Sequence, residues 1–320
     1  MKICFKILLL HVVLLLAISC EKKVVEIVPV LQVQKDMSIP GAGAIKFFNF
    51  PSPQVGYAAS DTSFIYKTIN AGSTWSRIDL PGNKTCKGIE FYDEETGLVM
   101  AGSSVYLTED GGDTWIPRNW GSFLGMTESG IGVVGDFDFF TCDIRVTYDR
   151  GQSFQYYGTI NNIDGLGIAR VEGNTLVVVP EDQNSGSAKG YNFETGEPYN
   201  AFLSGLTFAE VPKDIHLSEE NEVIVGTQGL VMNGYTDRFY DGNAGHKYTL
   251  HSVDGYGDLV IIVGQNTIMA NIDLGLDRSW NQIFDKTGNG FTQTFFKVSF
   301  TESGSFYLSG TDGLLYLATI

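Results

Sequence analysis

An eight-residue block that returns at a fixed interval constrains this chain more than any other feature. Thr68-Ile69-Asn70-Ala71-Gly72-Ser73-Thr74-Trp75 reappears 40 residues later as Thr108-Glu109-Asp110-Gly111-Gly112-Asp113-Thr114-Trp115. It returns a further 39 residues on as Thr147-Tyr148-Asp149-Arg150-Gly151-Gln152-Ser153-Phe154. A stretched copy places Asp273, Gly275 and Trp280 at the corresponding positions, and Asn192-Phe193-Glu194-Thr195-Gly196 is a degenerate one. A repeat of this length marks a fold in which each unit buries its apolar face only against its neighbours.

The residue types explain the block. A tight hairpin loop needs a residue that tolerates positive φ, which Gly72, Gly112 and Gly151 supply. The side chains of Asn70, Asp110 and Asp149 can accept hydrogen bonds from the loop's own amides. Trp75, Trp115 and Phe154 are expected to fold inward between units, each burying a large ring.

Ahead of each block lies a strand such as Phe64–Lys67 or Val105–Leu107, and ahead of that a run of small or branched apolar residues: Gly56–Ala59, Leu98–Gly102, Gly132–Gly135. The run persists where the block has decayed, as Leu176–Val179, Val223–Gly226, Val260–Gly264 and Phe306–Gly310, making seven copies. Continuous apolar runs bounded by turns suit strands covered on both faces. The chain is therefore expected to be all-β, a seven-bladed β-propeller of four-stranded antiparallel blades over residues 41–320. The last unit stops after three strands. Val24–Val33 is expected to close it from the N-terminal side, with Pro29 tolerated on an outermost edge; the alternative is that residues 24–34 are an extended linker.

The blocks resemble the Asp-box of bacterial neuraminidase repeats, [S/T]-x-[D/N]-x-G-x-[S/T]-[W/F]. Asp-box propellers include sialidases and related glycoside hydrolases, sortilin-type receptor domains, and photosystem II stability/assembly factor-like proteins, and the resemblance covers about residues 40–320. A sialidase would need an arginine triad and an Arg-Ile-Pro segment. Arg77, Arg118, Arg150 and Arg278 lie in or beside blocks, which the resemblance puts on the face opposite a substrate pocket, leaving Arg145, Arg170 and Arg238. Trp115-Ile116-Pro117-Arg118 inverts the expected order.

The first residues carry an address. Lys2 and Lys6 precede an apolar run from Ile7 to Ile18, the form of a secretory leader over residues 1–19. Leu16-Ala17-Ile18-Ser19-Cys20 resembles the bacterial lipobox, which implies acylation of Cys20, an exported lipoprotein in the cell envelope, and a tether over residues 20–40. Cys86 and Cys142 then remain. In an oxidising compartment they can pair across about 57 residues, or they can sit as two separately buried thiols.

The formal charge of −16 excludes nucleic acid and an anionic membrane surface as electrostatic partners, so the membrane is reached through the lipid alone. No P-loop, nucleophile elbow, dinucleotide fingerprint or zinc spacing is present, and His216, His246 and His251 do not form a ligand set. No catalytic, cofactor or metal residue is assigned. Asp136, Asp138, Glu181, Asp182 and Asp312 fall in connections between second and third strands, which should open on the pocket face and form a candidate binding face, although each also reads as a solvated loop acid. Trp120, Phe139, Phe140, Phe202, Tyr240 and Phe284 offer aromatic contact on the same side, the alternative being that they pack between blades. The expected function is a non-enzymatic, lipid-anchored envelope protein that binds a protein or glycan. The alternative is a glycoside hydrolase of envelope or extracellular glycans, which would need two carboxylates about 5–10 Å apart with one desolvated.

Overall fold

The apolar runs become the second strand of every blade. In the computed structural model, which describes residues 29–138, 140–162, 166–180, 187–202, 211–217, 222–233, 237–240, 248–271, 280–301 and 303–320, these strands are Gly56–Ala59, Gly97–Ala101, Gly132–Phe137, Thr175–Pro180, Glu222–Gly226, Leu259–Gly264 and Phe306–Gly310. Each is paired antiparallel on both sides within a four-stranded sheet, and there are seven such sheets. Among the described residues the helical elements are single 3-10 turns, as at Thr311–Gly313.

Alternation along each second strand distributes the core. Leu98 and Met100 pack toward blade 3, whereas Val99 and Ala101 pack toward blade 1. Val177 and Val179 likewise face blade 5, and Leu176 and Val178 face blade 3. Successive side chains of a strand point to opposite faces, so one apolar run seals two interfaces. One apolar cluster fills each of the seven blade-to-blade interfaces among the described residues.

The repeated block forms the turn between the third and fourth strands of blades 1 to 3. Thr74, Thr114 and Ser153 donate their backbone N–H to the side chains of Asn70, Asp110 and Asp149 at 2.9, 2.8 and 2.9 Å. The hydroxyls of Thr68, Thr108 and Thr147 accept from the N–H of Gly72, Gly112 and Gly151, each at 2.8 Å. Two successive residues, not one, adopt left-handed φ: Ala71 (55°), Gly111 (69°) and Arg150 (60°) precede the three glycines. Trp75, Trp115 and Phe154 are half-buried between blades. Of the stretched copy, Asp273 and Gly275 lie outside the described residues, while Trp280 packs against the interface between blades 5 and 6.

Ring closure occurs, with a shifted boundary. Among the described residues Gln32–Asp36 forms the outermost strand of blade 7, overlapping the end of the expected Val24–Val33 and pairing antiparallel with Leu315–Thr319 from Gln32↔Thr319 to Asp36↔Tyr316; residues 24–28 lie outside the described residues. Pro29 sits ahead of that strand, its carbonyl accepting from the N–H of Phe284 at 3.3 Å, and Leu31 returns a hydrogen bond to the Phe284 carbonyl at 2.9 Å. Proline thus stays outside the ladder it could not have joined as a donor. Trp75 of blade 1 fastens the closure by donating Nε1–H to the Met37 carbonyl at 3.0 Å.

Of the two readings of Cys86 and Cys142, the structure has the second: both are free, buried thiols. Cys86 belongs to the interface between blades 1 and 2, and Cys142 to that between blades 3 and 4, so the interface between blades 2 and 3 separates them. Burial pushes both thiols up to about 12, which keeps them protonated and unreactive. The leader and Cys20 lie outside the described residues.

Candidate functional site: the central channel

The innermost strands of the seven blades surround a cavity of about 1110 Å³ on the propeller axis. They are Phe47–Asn49, Cys86–Phe91, Phe123–Met126, Leu166–Glu172, Pro212–Leu217, Leu250–Tyr256 and Phe295–Phe300. In five of them the register slips at the same level, between Cys86 and Gly88, Leu166 and Ile168, Pro212 and Asp214, Leu250 and Ser252, and Phe295 and Lys297. A bulge of this kind re-aims the extra residue. The residues at the slip include Lys87, Lys213 and His251, and all three line the cavity near its mouth.

Three residues below the slip, register places one residue per blade on a single level: Asn49, Glu90, Gly125, Arg170, His216, Asp254 and Ser299. The two halves of this ring differ in kind. On the side of blades 4 to 6 the charges are mutually satisfied. Arg170 lies 3.2 Å from Glu172 Oε2, 2.8 Å from Asp214 Oδ1 and 3.2 Å from Asp254 Oδ1, and donates to the Val253 carbonyl at 2.9 Å. His216 Nδ1 bonds Glu172 and lies 3.5 Å from Asp254 Oδ1. Ser252 Oγ donates to Asp214 Oδ2 at 2.6 Å, and the Phe300 amide donates to Asp254 Oδ2 at 2.8 Å.

Burial alone would strip His216 of its proton, yet hydrogen bonds to Asp254 and Glu172 and their charges win, raising it to about 9. Burial would likewise raise Asp254, but the His216 hydrogen bond and the Arg170 charge hold it below the usual carboxylate range. Glu172, His216 and Asp254 bring their ligand atoms within 4.8 Å of one another, a spacing that suits a cation. Arg170 and protonated His216 supply that positive charge themselves, so the cluster is an ion-pair network tying three blades together.

On the side of blades 1, 2 and 7 the wall is unsatisfied. Burial lifts Glu90 to about 7 with the charge of Lys297 opposing, and Asn49 Oδ1 is buried with no hydrogen-bond partner. Above them Lys46, Lys87 and Lys297 line the cavity, and Lys213 of blade 5 lines it from the other half. Lys46 pairs with Asp61 and Lys297 lies 5.3 Å over the Phe48 ring; Lys87 and Lys213 are exposed and have no ion pair among the described residues. A chain of net charge −16 thus carries a basic mouth.

The acids singled out in the sequence do not converge. Asp136 is opposite Asp143 in its sheet and 4.0 Å from Arg145. The Asp138 N–H caps its own turn on Thr141, and Asp312 occupies a left-handed position (φ 57°) in the turn of blade 7. These three stand on the mouth side but outside the cavity wall; Glu181 and Asp182 lie outside the described residues. Trp120 and Phe140 are exposed, not packed between blades; Phe139 lies outside the described residues, as do the side chains of Phe202 and Tyr240. Among the described arginines no triad forms: Arg77 pairs with Asp79, Arg150 with Asp93, and Arg118 donates to Gln152.

No family model matches the sequence. A stretch of 63 residues, 18% of this chain, is 38% identical to the chloroplastic photosystem II stability/assembly factor HCF136 of Guillardia theta, and spans only 16% of that protein's length. Similar solved structures include YCF48 bound to D1 peptide (TM-score 0.71, 14% identity, covering 92% of this chain and 99% of that one) and YCF48 from Cyanidioschyzon merolae (TM-score 0.66, 14% identity, covering 89% and 98%). The WD40 propeller of Doa1 is similar at TM-score 0.63 and 10% identity, covering 90% and 97%. At these identities the likeness establishes the fold: a seven-bladed β-propeller.

Proposed function

We propose that this protein is a non-enzymatic binding propeller that receives a segment of a protein partner at the channel mouth. The observation that carries this reading is the asymmetry of the channel wall. Its carboxylates on blades 4 to 6 are already engaged by Arg170 and His216 and are not free for acid–base chemistry, whereas the mouth presents polar groups without partners among the described residues to a cavity of about 1110 Å³. The likeness to YCF48, one of whose structures holds a D1 peptide, and the match to HCF136 support an assembly-factor-like role.

The finer features belong to the same reading. The repeated turns are Asp-boxes of the neuraminidase-repeat type, Cys20 carries the lipid, and the propeller is held at the bacterial cell envelope. Exposed Trp120 and Phe140 favour a glycan as a second ligand class at the rim, since aromatic faces stack on sugar rings. Affinity capture of envelope proteins with the full chain is the test. Retention of a discrete partner that is lost with Lys213→Glu supports the reading. Retention unchanged by Lys213→Glu, together with turnover of a glycan panel, overturns it. Radiolabelled palmitate that fails to enter the wild-type protein, or enters Cys20→Ala equally, would remove the anchor.

A further inference from the structure

Granting a protein partner, the chemistry of the mouth indicates what kind of segment enters. Lys46, Lys87, Lys213 and Lys297 come from four different blades yet converge on one opening. Their convergence is built by the backbone, because Lys87 and Lys213 occupy the register slip in their strands and are turned toward the axis by it. Only Asp61 pairs with one of them among the described residues. The chain as a whole carries a net charge of −16, but at physiological salt fields between exposed charges decay within about 8 Å, so the lysines govern what approaches.

Glu90 stands directly below them. Its neighbours are Lys87 on its own strand, Tyr92 just past the end of that strand, Lys46 just ahead of the inner strand of blade 1, and Lys297 on the inner strand of blade 7; the inner strand of blade 3, Phe123–Met126, contributes no charge. Among the described residues no hydrogen bond or ion pair holds its carboxylate. An anion arriving at the lysines brings a like charge toward this carboxylate, which favours its protonated form.

We propose that the channel mouth receives an acidic, extended segment of a partner polypeptide, its carboxylates held by Lys87, Lys213 and Lys297, and that binding is linked to uptake of a proton by Glu90. This rests on the protein-binding reading above. Neutral Glu90 then also offers an O–H donor to the incoming backbone, while ionised Glu90 repels it. Affinity therefore falls as pH rises through neutrality; His251 at the same mouth, held below its ordinary range by burial and by the charges of Lys213 and Lys46, loses its charge before that window.

The test is fluorescence anisotropy with the full chain, using a short labelled peptide of alternating Glu and Gly, the same peptide with Gln for Glu, and one with Lys for Glu. The expected result is binding of the Glu peptide at least tenfold tighter than the Gln peptide, weakening several-fold between about pH 6 and pH 8. Glu90→Gln should hold the low-pH affinity across that range, and Lys213→Glu should weaken binding at every pH without changing the slope. Equal binding of the Glu and Gln peptides, or preference for the Lys peptide, overturns the acidic assignment while leaving a protein-binding channel in place. A pH slope that survives Glu90→Gln overturns the proton linkage. If no peptide binds and affinity capture also retains no partner, both readings fall.

Discussion

Arg170 Nη1 on blade 4 lies 2.8 Å from Asp214 Oδ1 on blade 5, and the same guanidinium reaches Asp254 on blade 6 at 3.2 Å. One side chain thereby fixes three neighbouring inner strands. Removing it leaves Asp214 largely buried with only the Ser252 hydroxyl as a side-chain partner, and Glu172 and Asp254 sharing the single charge of His216. Arg170→Met should lower stability by about 3–5 kcal/mol, because an unpaired buried charge costs more than an absent pair. Urea denaturation reads this directly, and a change under about 1 kcal/mol would show the network to be solvated.

The same wall sets a pH dependence. His216 is raised to about 9 from 6.5, so its contribution is fully present below 6.5 and is lost as pH climbs through 9. Glu90 works in the opposite sense to an ordinary ion-paired acid: lifted to about 7 from 4.5, it disfavours the folded state increasingly from pH 4.5 to 7. The melting temperature should therefore decline from about pH 5 toward pH 9. Glu90→Gln should flatten the acid half of that decline, worth at most about 3 kcal/mol, and His216→Gln the alkaline half. Thermal melts of the two variants across that range decide the assignment.

The repeated turn tolerates little at its second left-handed position. Gly112 has φ 102°, and a Cβ there would lie 2.9 Å from Ile78 Cδ1 of the preceding blade. Gly112→Ala should cost about 2–3 kcal/mol, combining backbone strain with overpacking. Gly130→Ala, at φ 80° with nothing within 4 Å, should cost only about 1 kcal/mol from the backbone. Equal losses in paired denaturation curves would mean that the contact with the neighbouring blade contributes nothing.

Deleting residues 29–38 should expose the whole edge of Leu315–Thr319, unpair its ladder and uncover Leu315 and the Met37 side of Trp75. Open edges template association. The truncated protein should form oligomers in light scattering and lose amide protection first in blade 7, whereas an unchanged monomer with intact protection would make the closing strand dispensable.

Much of this architecture was legible because it repeats. Gly72, Gly112 and Gly151 recur with their acids and aromatics at one spacing, and each apolar run marks a second strand. The closing strand was legible only in outline: the alternation of Val24–Val33 continues into Gln32–Asp36, and the fixed φ of Pro29 does not by itself set where pairing begins. The charged wall was not legible. Arg170, His216 and Asp254 are separated by 46 and 38 residues, and they meet because register in three separate strands assigns them one level. Lys87 and Lys213 faced the same obstacle, since a one-residue slip decides which way they point. Their signal, a lysine two residues before a buried isoleucine (Ile89, Ile215) at the start of units 2 and 5, becomes readable once the strands are aligned by their pairing.

The way the ring is fastened also decides how it responds to load. A force drawing on Pro29 would reach the body first through the Phe284 contacts and then through the short ladder of Gln32–Asp36, both at the perimeter and far from the axis. Peeling would begin at that clasp and spare the inner strands, so a molecule pulled from this end can loosen its rim while the Arg170 knot and the lysine-lined opening keep their shape.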